Sequence, residues 1–158
     1  GVAFPVAETR ASHIVLATET DFTPNVLRFT EKTLKPIVAH RPFLVFGSAG
    51  TLTLLRDFGF RTFDGLIDET YDKISSRNER MKYLLAETER LAGVLNDQAQ
   101  RREFLDGARE ICAHNQKVLL ENFNTELDRR ALSALNGHLR RRPLSISGCE
   151  GSHLASTA

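Results

Sequence analysis

The chain has 158 residues, 41% of them hydrophobic, and its 21 Lys plus Arg against 20 Asp plus Glu give a formal net charge of +1. This length suits one domain with a core of its own, and the balanced charge argues against a nucleic-acid partner. Two cysteines are too few for a disulfide framework, and no apolar run reaches the roughly 18 residues that a transmembrane helix needs, so we expect a cytoplasmic protein without a transmembrane segment.

The first part of the chain begins with short segments of different character. Residues 1–10 have no clear period, which predicts a connector. Residues 12–17 form an apolar run rich in β-branched side chains, which predicts a buried strand. Residues 18–25 are polar, so we expect a loop after that strand. Thr30 is predicted to cap a helix that Pro36 shortens, because proline disrupts a helix beyond its first turn.

A second strand and a second helix follow. Residues 42–47 are apolar on both faces, as in parallel strands covered by helices. Small residues come next, and a helix is predicted to begin near Ser48 and to end at Gly59. Residues 60–64 are interpreted as a third, shorter strand. This alternation predicts an α/β fold with a small parallel Rossmann-like sheet in the N-terminal half and an all-helical C-terminal half.

The C-terminal half shows only helical spacing. Leucines in residues 78–95 recur at intervals near 3.6, and a second long helix, capped by Asp97 or Asn96, is predicted to run to Phe123. A third short helix is expected over residues 124–139. Residues 140–158 are polar and aperiodic, which predicts a flexible tail. The domain would therefore span 1–139.

Candidate binding residues lie near the two predicted helix starts. A helix N-terminus presents unpaired N–H groups and about half of a positive elementary charge, so it suits phosphate. Arg28 and Lys32 add cations, Phe29 could stack on a base or ribose, and Glu31 suits sugar hydroxyls. The pattern predicts a nucleotide or nucleotide-sugar site. The candidate binding residues are Glu19, Arg28, Phe29, Thr30, Glu31, Lys32, Ser48 and Gly50.

Other chemistries have no clear pattern in the sequence. The acidic residues Asp64, Asp68, Glu69 and Asp72 lack the spacing of a calcium-binding loop, so we interpret them as helix-capping and solvated. No cysteine or histidine pair has metal-ligand spacing, and neither a metal nor a cofactor is expected. Hydrolase, metalloprotease and phosphate-loop motifs are missing, so the sequence identifies no catalytic residue.

Residues 12–47 resemble the donor-binding signature of α-1,3-fucosyltransferase-like glycosyltransferases. That signature comprises an apolar strand, a turn with Glu, a loop, an aromatic residue near Thr-Glu-Lys, a helix and a buried strand. The family usually has Asn where this chain has Thr20, and many members have Tyr at the aromatic position. The matching residues are Glu19, Phe29, Thr30, Glu31 and Lys32.

The resemblance implies the C-terminal, donor-binding half of a two-domain GT-B enzyme. Lys32 would then neutralise the β-phosphate of a nucleoside-diphosphate sugar, and Glu31 would hold ribose or sugar hydroxyls. The reaction would be an inverting, metal-independent transfer to an acceptor that the sequence does not identify. A partner domain or chain would supply the acceptor site and the general base. Two alternatives stay open: a non-catalytic nucleotide- or phosphate-binding module, and a helical interaction domain.

Overall fold

The computed structural model describes residues 6–20, residues 28–121 and residue 125. The chain divides into two compact units, Gly1–Asn124 and Thr125–Ala158. All described residues except residue 125 belong to the first unit. Apart from residue 125, the predicted helix over residues 124–139 and the predicted tail lie outside the described residues. The predicted domain boundary at residue 139 therefore stays a prediction.

The described elements alternate between helix and strand and then become helical only. A turn of small residues, 47–50, connects the second strand to the third helix and is called the β2–α3 turn below. The elements in chain order are α1 Val6–Ala11, β1 Val15–Thr18, α2 Glu31–Val38, β2 Phe43–Phe46, α3 Thr51–Asp57, a 3-10 helix Glu69–Lys73, α4 Arg77–Asn96 and α5 Gln98–Glu121.

Strands β1 and β2 pair in parallel, with Val15 opposite Phe43 and Thr18 opposite Phe46. The backbone N–H of Glu19 extends this pairing by donating to the carbonyl of Phe46 at 2.8 Å. Helix α2 connects the strands and packs against both of them. The predicted fold class is confirmed: a small parallel sheet occupies the N-terminal half and helices follow it.

One hydrophobic core contains residues from both halves of the described chain. Leu44 of β2, Leu55 of α3 and Leu84 of α4 are fully buried, and α5 adds Phe104 and Ala108. Helices α4 and α5 pack against each other, and α5 also packs against α2. The long helices thus pack on each other, on α2 and on the 3-10 helix. In the described part of the chain, no helix combines the length and apolar character that crossing a bilayer requires.

The third strand predicted over residues 60–64 is wrong. Only an isolated bridge between Asp64 and Ile67 occurs there. The N–H of Arg61 donates to Asn115 Oδ1 at 2.7 Å, and the N–H of Phe63 donates to Glu69 Oε1 at 2.7 Å. These N–H groups therefore donate to side-chain oxygens instead of to a neighbouring strand, and the segment is irregular.

The connector predicted over residues 1–10 is wrong where the structure describes it, because residues 6–11 form α1. Glu8 lies in its first turn and Arg10 in its last, an order that complements the helix dipole. The Arg10 carbonyl also accepts a hydrogen bond from Arg41 Nε at 2.9 Å. A contact from a distant part of the chain thus stabilises the end of a helix that has no local period.

Replacing Gly93 by alanine should raise the free energy of unfolding by about 0.5–1 kcal/mol, because alanine favours a helix more than glycine does. A Cβ atom at position 93 of α4 would meet nothing within 4 Å. Urea denaturation followed by circular dichroism measures the change. The contrasting variant Gly65→Ala should lose stability, because Gly65 has φ +85°. Lower stability for Gly93→Ala would contradict the packing described here.

Candidate functional site

The two predicted helix starts lie at the same edge of the sheet. Because β1 and β2 are parallel, their C-terminal ends are neighbours. Helix α2 is bonded to the residue that follows β1, as detailed below, and α3 follows β2 through the β2–α3 turn. This edge is where ligands collect in open parallel sheets. The two helix starts therefore lie near neighbouring strand ends, as predicted.

Glu19 fastens the end of β1 to the start of α2. Its side chain is only 3% exposed. One carboxylate oxygen accepts from the backbone N–H of Thr30 at 2.9 Å and from the Thr33 hydroxyl at 2.6 Å, and the other accepts from the Thr30 hydroxyl at 2.6 Å. Glu19 was predicted to contact a donor, but the described structure gives its carboxylate three partners within the chain.

Burial by itself raises the pKa of Glu19. The hydrogen bonds from Thr30 and Thr33 and the positive charge of Lys32 act in the opposite direction and outweigh burial, so the pKa lies below its usual value. A carboxylate with this environment stays ionised near neutral pH and is a poor proton acceptor. Glu19 is therefore an anchor for the helix start, and it lacks the properties of a general base.

Lys32 lies close to the end of β1. Its ammonium donates to the Thr20 hydroxyl at 2.7 Å, while its backbone N–H donates to the Thr30 hydroxyl at 3.3 Å. An ammonium has three donors, so two remain after the bond to Thr20 within the described part of the chain. Arg28 and Glu31 are both exposed beside this helix start. The α2 side of the edge thus presents two cations and one acid to solvent.

Phe29 contacts other aromatic side chains at the rim of the core. Its ring meets Phe58 edge to face with centroids 5.4 Å apart, and Phe60 with centroids 6.4 Å apart. These contacts join the start of α2 to the segment after α3. The ring is half-buried and already has two aromatic neighbours. Its predicted stacking on a nucleotide stays a prediction.

The expectation of open N–H groups at the start of α3 is wrong. The carboxylate of Asp72 accepts from the N–H groups of Leu52 at 3.0 Å and Thr53 at 3.2 Å. The backbone carbonyl of Asp72 accepts from the N–H of Gly50 at 2.8 Å. Ser48 is buried, and Gly50 adopts φ 84° as the residue before the helix. An internal carboxylate thus takes the place that a phosphate was expected to occupy.

The acidic residues between positions 64 and 72 divide into different roles. The predicted capping is confirmed for Asp68, which accepts from the N–H of Thr70 at the 3-10 helix, and for Asp72 at α3. The predicted solvation is wrong for Asp72, which is buried. Glu69 is paired with Arg56 at 3.0 Å, and burial raises its pKa more than this pairing lowers it.

Sequence reasoning missed Thr33 and the particular role of Asp72. Thr33 lies one helical turn after Thr30, so its spacing was a usable signal that it faces the same way. Asp72 had no such signal, because its partners belong to a helix far back along the chain. Among residues 6–20 and 28–121, no three His, Cys, Asp or Glu side chains are grouped to hold a metal ion. Metal independence stays a prediction.

Comparison of the chain with protein-family models, with curated proteins and with solved structures finds no match. The resemblance of residues 12–47 to fucosyltransferase-like enzymes therefore stays a prediction.

Proposed function

We propose that the α2 side of the sheet edge binds the diphosphate of a nucleoside-diphosphate sugar. In this proposal the chain is the donor-binding half of an inverting glycosyltransferase. The observation that carries it is the position of Lys32: its ammonium lies 2.7 Å from the Thr20 hydroxyl, just beyond β1, on a helix start that buried Glu19 holds in place. The charge is thus fixed at the edge where parallel sheets bind ligands.

The two helix starts differ in electrostatic character, and this difference supports placing the anion at α2. At α3, the charge of Asp72 already compensates the N–H groups of the helix. At α2, Glu19 is satisfied from within the chain, while Arg28 and Lys32 remain at the surface. A dianionic phosphate is therefore favoured at α2 and opposed by Asp72 at α3.

The proposed chemistry follows from the charge that develops during sugar transfer. As the bond to the sugar breaks, negative charge grows on the departing diphosphate. A positively charged side chain held in place before the reaction stabilises that charge without reorganising. Lys32 would play this part, Glu31 would accept hydrogen bonds from ribose or sugar hydroxyls, and the acceptor and its general base would come from a partner domain or chain.

Lys32→Ala should weaken the binding of a nucleoside diphosphate by about tenfold or more. A hydrogen bond to a charged group contributes about 1.5–3 kcal/mol, and about 1.4 kcal/mol is a tenfold change in affinity. Isothermal titration calorimetry with UDP, GDP, CDP and ADP measures the effect. Lys35→Ala is the matched control, because Lys35 lies in the last turn of the same helix. If the folded protein binds none of the four diphosphates, the proposed function fails.

A second candidate is a nucleotide- or phosphate-binding module without turnover. It is favoured by the state of Glu19, whose carboxylate lies near Lys32 but is buried, hydrogen-bonded and lowered in pKa. Such a carboxylate is a poor base for deprotonating an acceptor. One experiment distinguishes this module from a glycosyltransferase. The chain is incubated with a panel of nucleoside-diphosphate sugars, and release of the nucleoside diphosphate is measured. Release above the uncatalysed rate would exclude the module.

A further inference from the structure

Arg80 is a buried cation in the first turns of α4. Its side chain is only 3% exposed, and it donates from Nε to the carbonyl of Gly47 at 2.9 Å. Its Nη1 donates to the carbonyls of Ile74 at 2.7 Å and Ser75 at 3.3 Å. Within the described residues Arg80 forms no ion pair. A buried arginine that bonds to carbonyls rather than to a carboxylate is costly to place.

The β2–α3 turn is held from two sides. Arg80 holds the carbonyl of Gly47 at its beginning, and the carbonyl of Asp72 holds the N–H of Gly50 at its end, 2.8 Å away. The turn also lies against Glu19. A Cβ built at Gly47 would be 3.5 Å from Glu19 Cγ, which is ordinary van der Waals contact. The N–H of Glu19 also donates to the carbonyl of Phe46, the residue before the turn, so the turn adjoins the residue that anchors α2.

We propose that Arg80 is a positioning residue for the anion site: it fixes the β2–α3 turn, which supports Glu19 and so keeps Lys32 at the end of β1. This inference rests on the proposed function and extends it: a residue of the helical half of the chain would help to position the donor site. The path has three steps: Arg80 bonds to the carbonyl of Gly47, the carbonyl of the preceding Phe46 accepts from the N–H of Glu19, and the Glu19 carboxylate bonds to the start of α2.

The guanidinium geometry explains why the residue is arginine. Its planar fork reaches the carbonyl of Gly47 from one nitrogen and the carbonyls of Ile74 and Ser75 from another. A lysine ammonium is a single point and cannot hold both sets of carbonyls in the same arrangement. Methionine has a similar length but removes the charge and all donors. Arg80→Lys therefore removes the planar fork but keeps the positive charge, whereas Arg80→Met removes both.

The test uses the full chain and three variants: Arg80→Lys, Arg80→Met and the control Leu91→Ala. Leu91 is buried on the same helix, so its truncation destabilises the fold without touching the turn. Three quantities are measured: affinity for the tightest-binding nucleoside diphosphate, thermal stability, and amide hydrogen exchange at Gly50. We expect Arg80→Met to weaken affinity at least tenfold and to speed exchange at Gly50, with Arg80→Lys between it and the wild type.

Leu91→Ala should leave the affinity within about twofold of wild type while lowering the melting temperature. Wild-type affinity in a folded Arg80→Met protein would overturn the positioning role, and Arg80→Lys decides the matter if Arg80→Met does not fold. If the wild type binds no diphosphate, the proposed function fails by itself. The exchange rates then decide: equal rates at Gly50 in Arg80→Lys and Leu91→Ala would show that Arg80 does not fix the turn.

Discussion

Leu84→Asp is expected to unfold the described domain, whereas Leu85→Asp should be tolerated. Leu84 is 0% exposed at the centre of the core, and Leu85 is 52% exposed on the adjoining face of α4. Burying a carboxylate in place of a packed leucine costs about 5 kcal/mol or more, which is comparable to the whole stability of a typical domain. The substitution at Leu85 should cost less than about 1 kcal/mol.

Far-ultraviolet circular dichroism during urea titration of both variants measures the difference. Equal stability of the two would contradict the orientation of α4 described here. The pair also bears on the interaction-domain alternative. A change at Leu84 would unfold the protein and so could not report on assembly. Leu85 is the position at which a loss of partner binding would be informative, because its removal leaves the core intact.

Glu19→Gln is expected to lower the free energy of unfolding by about 1–3 kcal/mol, since it leaves buried donors without a charged acceptor. The carboxylate now accepts from the N–H and hydroxyl of Thr30 and from the hydroxyl of Thr33. An amide offers one oxygen where the carboxylate offers two. Glu31→Gln is the matched control, because Glu31 is exposed in the first turn of the same helix; it should cost about 0.3–1 kcal/mol.

The effect of Glu19 should depend on pH. Its folded-state pKa lies below the ordinary value of 4.5. Its contribution to stability is therefore fully present above that value and is lost as the pH falls through the lower folded-state pKa. Urea midpoints of the wild type and Glu19→Gln should differ most near pH 7 and converge as the pH falls below 4.5. A difference that grows at acid pH would contradict the assigned environment.

The elements that could be predicted from the sequence have local causes. Thr30 caps α2 through its own side chain, and Pro36 accompanies a helix that ends at Val38. The run of β-branched and apolar residues in β1 and β2 and the leucine period of α4 are likewise signals within one segment. Each depends on neighbours a few residues away, which a sequence displays directly.

The features that sequence reasoning missed depend on partners far along the chain. Asp72 caps α3 from beyond it, and Asn115 of α5 takes the N–H of Arg61 that a third strand would have used. In both cases a side-chain oxygen competes with the expected acceptor. Propensity cannot reveal such competition, because the acceptor and the donor come together only after the helices have packed.

Residues 30–33 have two different roles. Thr30 and Thr33 point to Glu19 and maintain the scaffold, whereas Glu31 and Lys32 are accessible to a ligand. The two sets can change independently: a chain that keeps the threonines but loses the lysine would retain the architecture without the charge. A similarity confined to this segment can therefore reflect the scaffold alone, and only Glu31 and Lys32 within it bear on ligand binding.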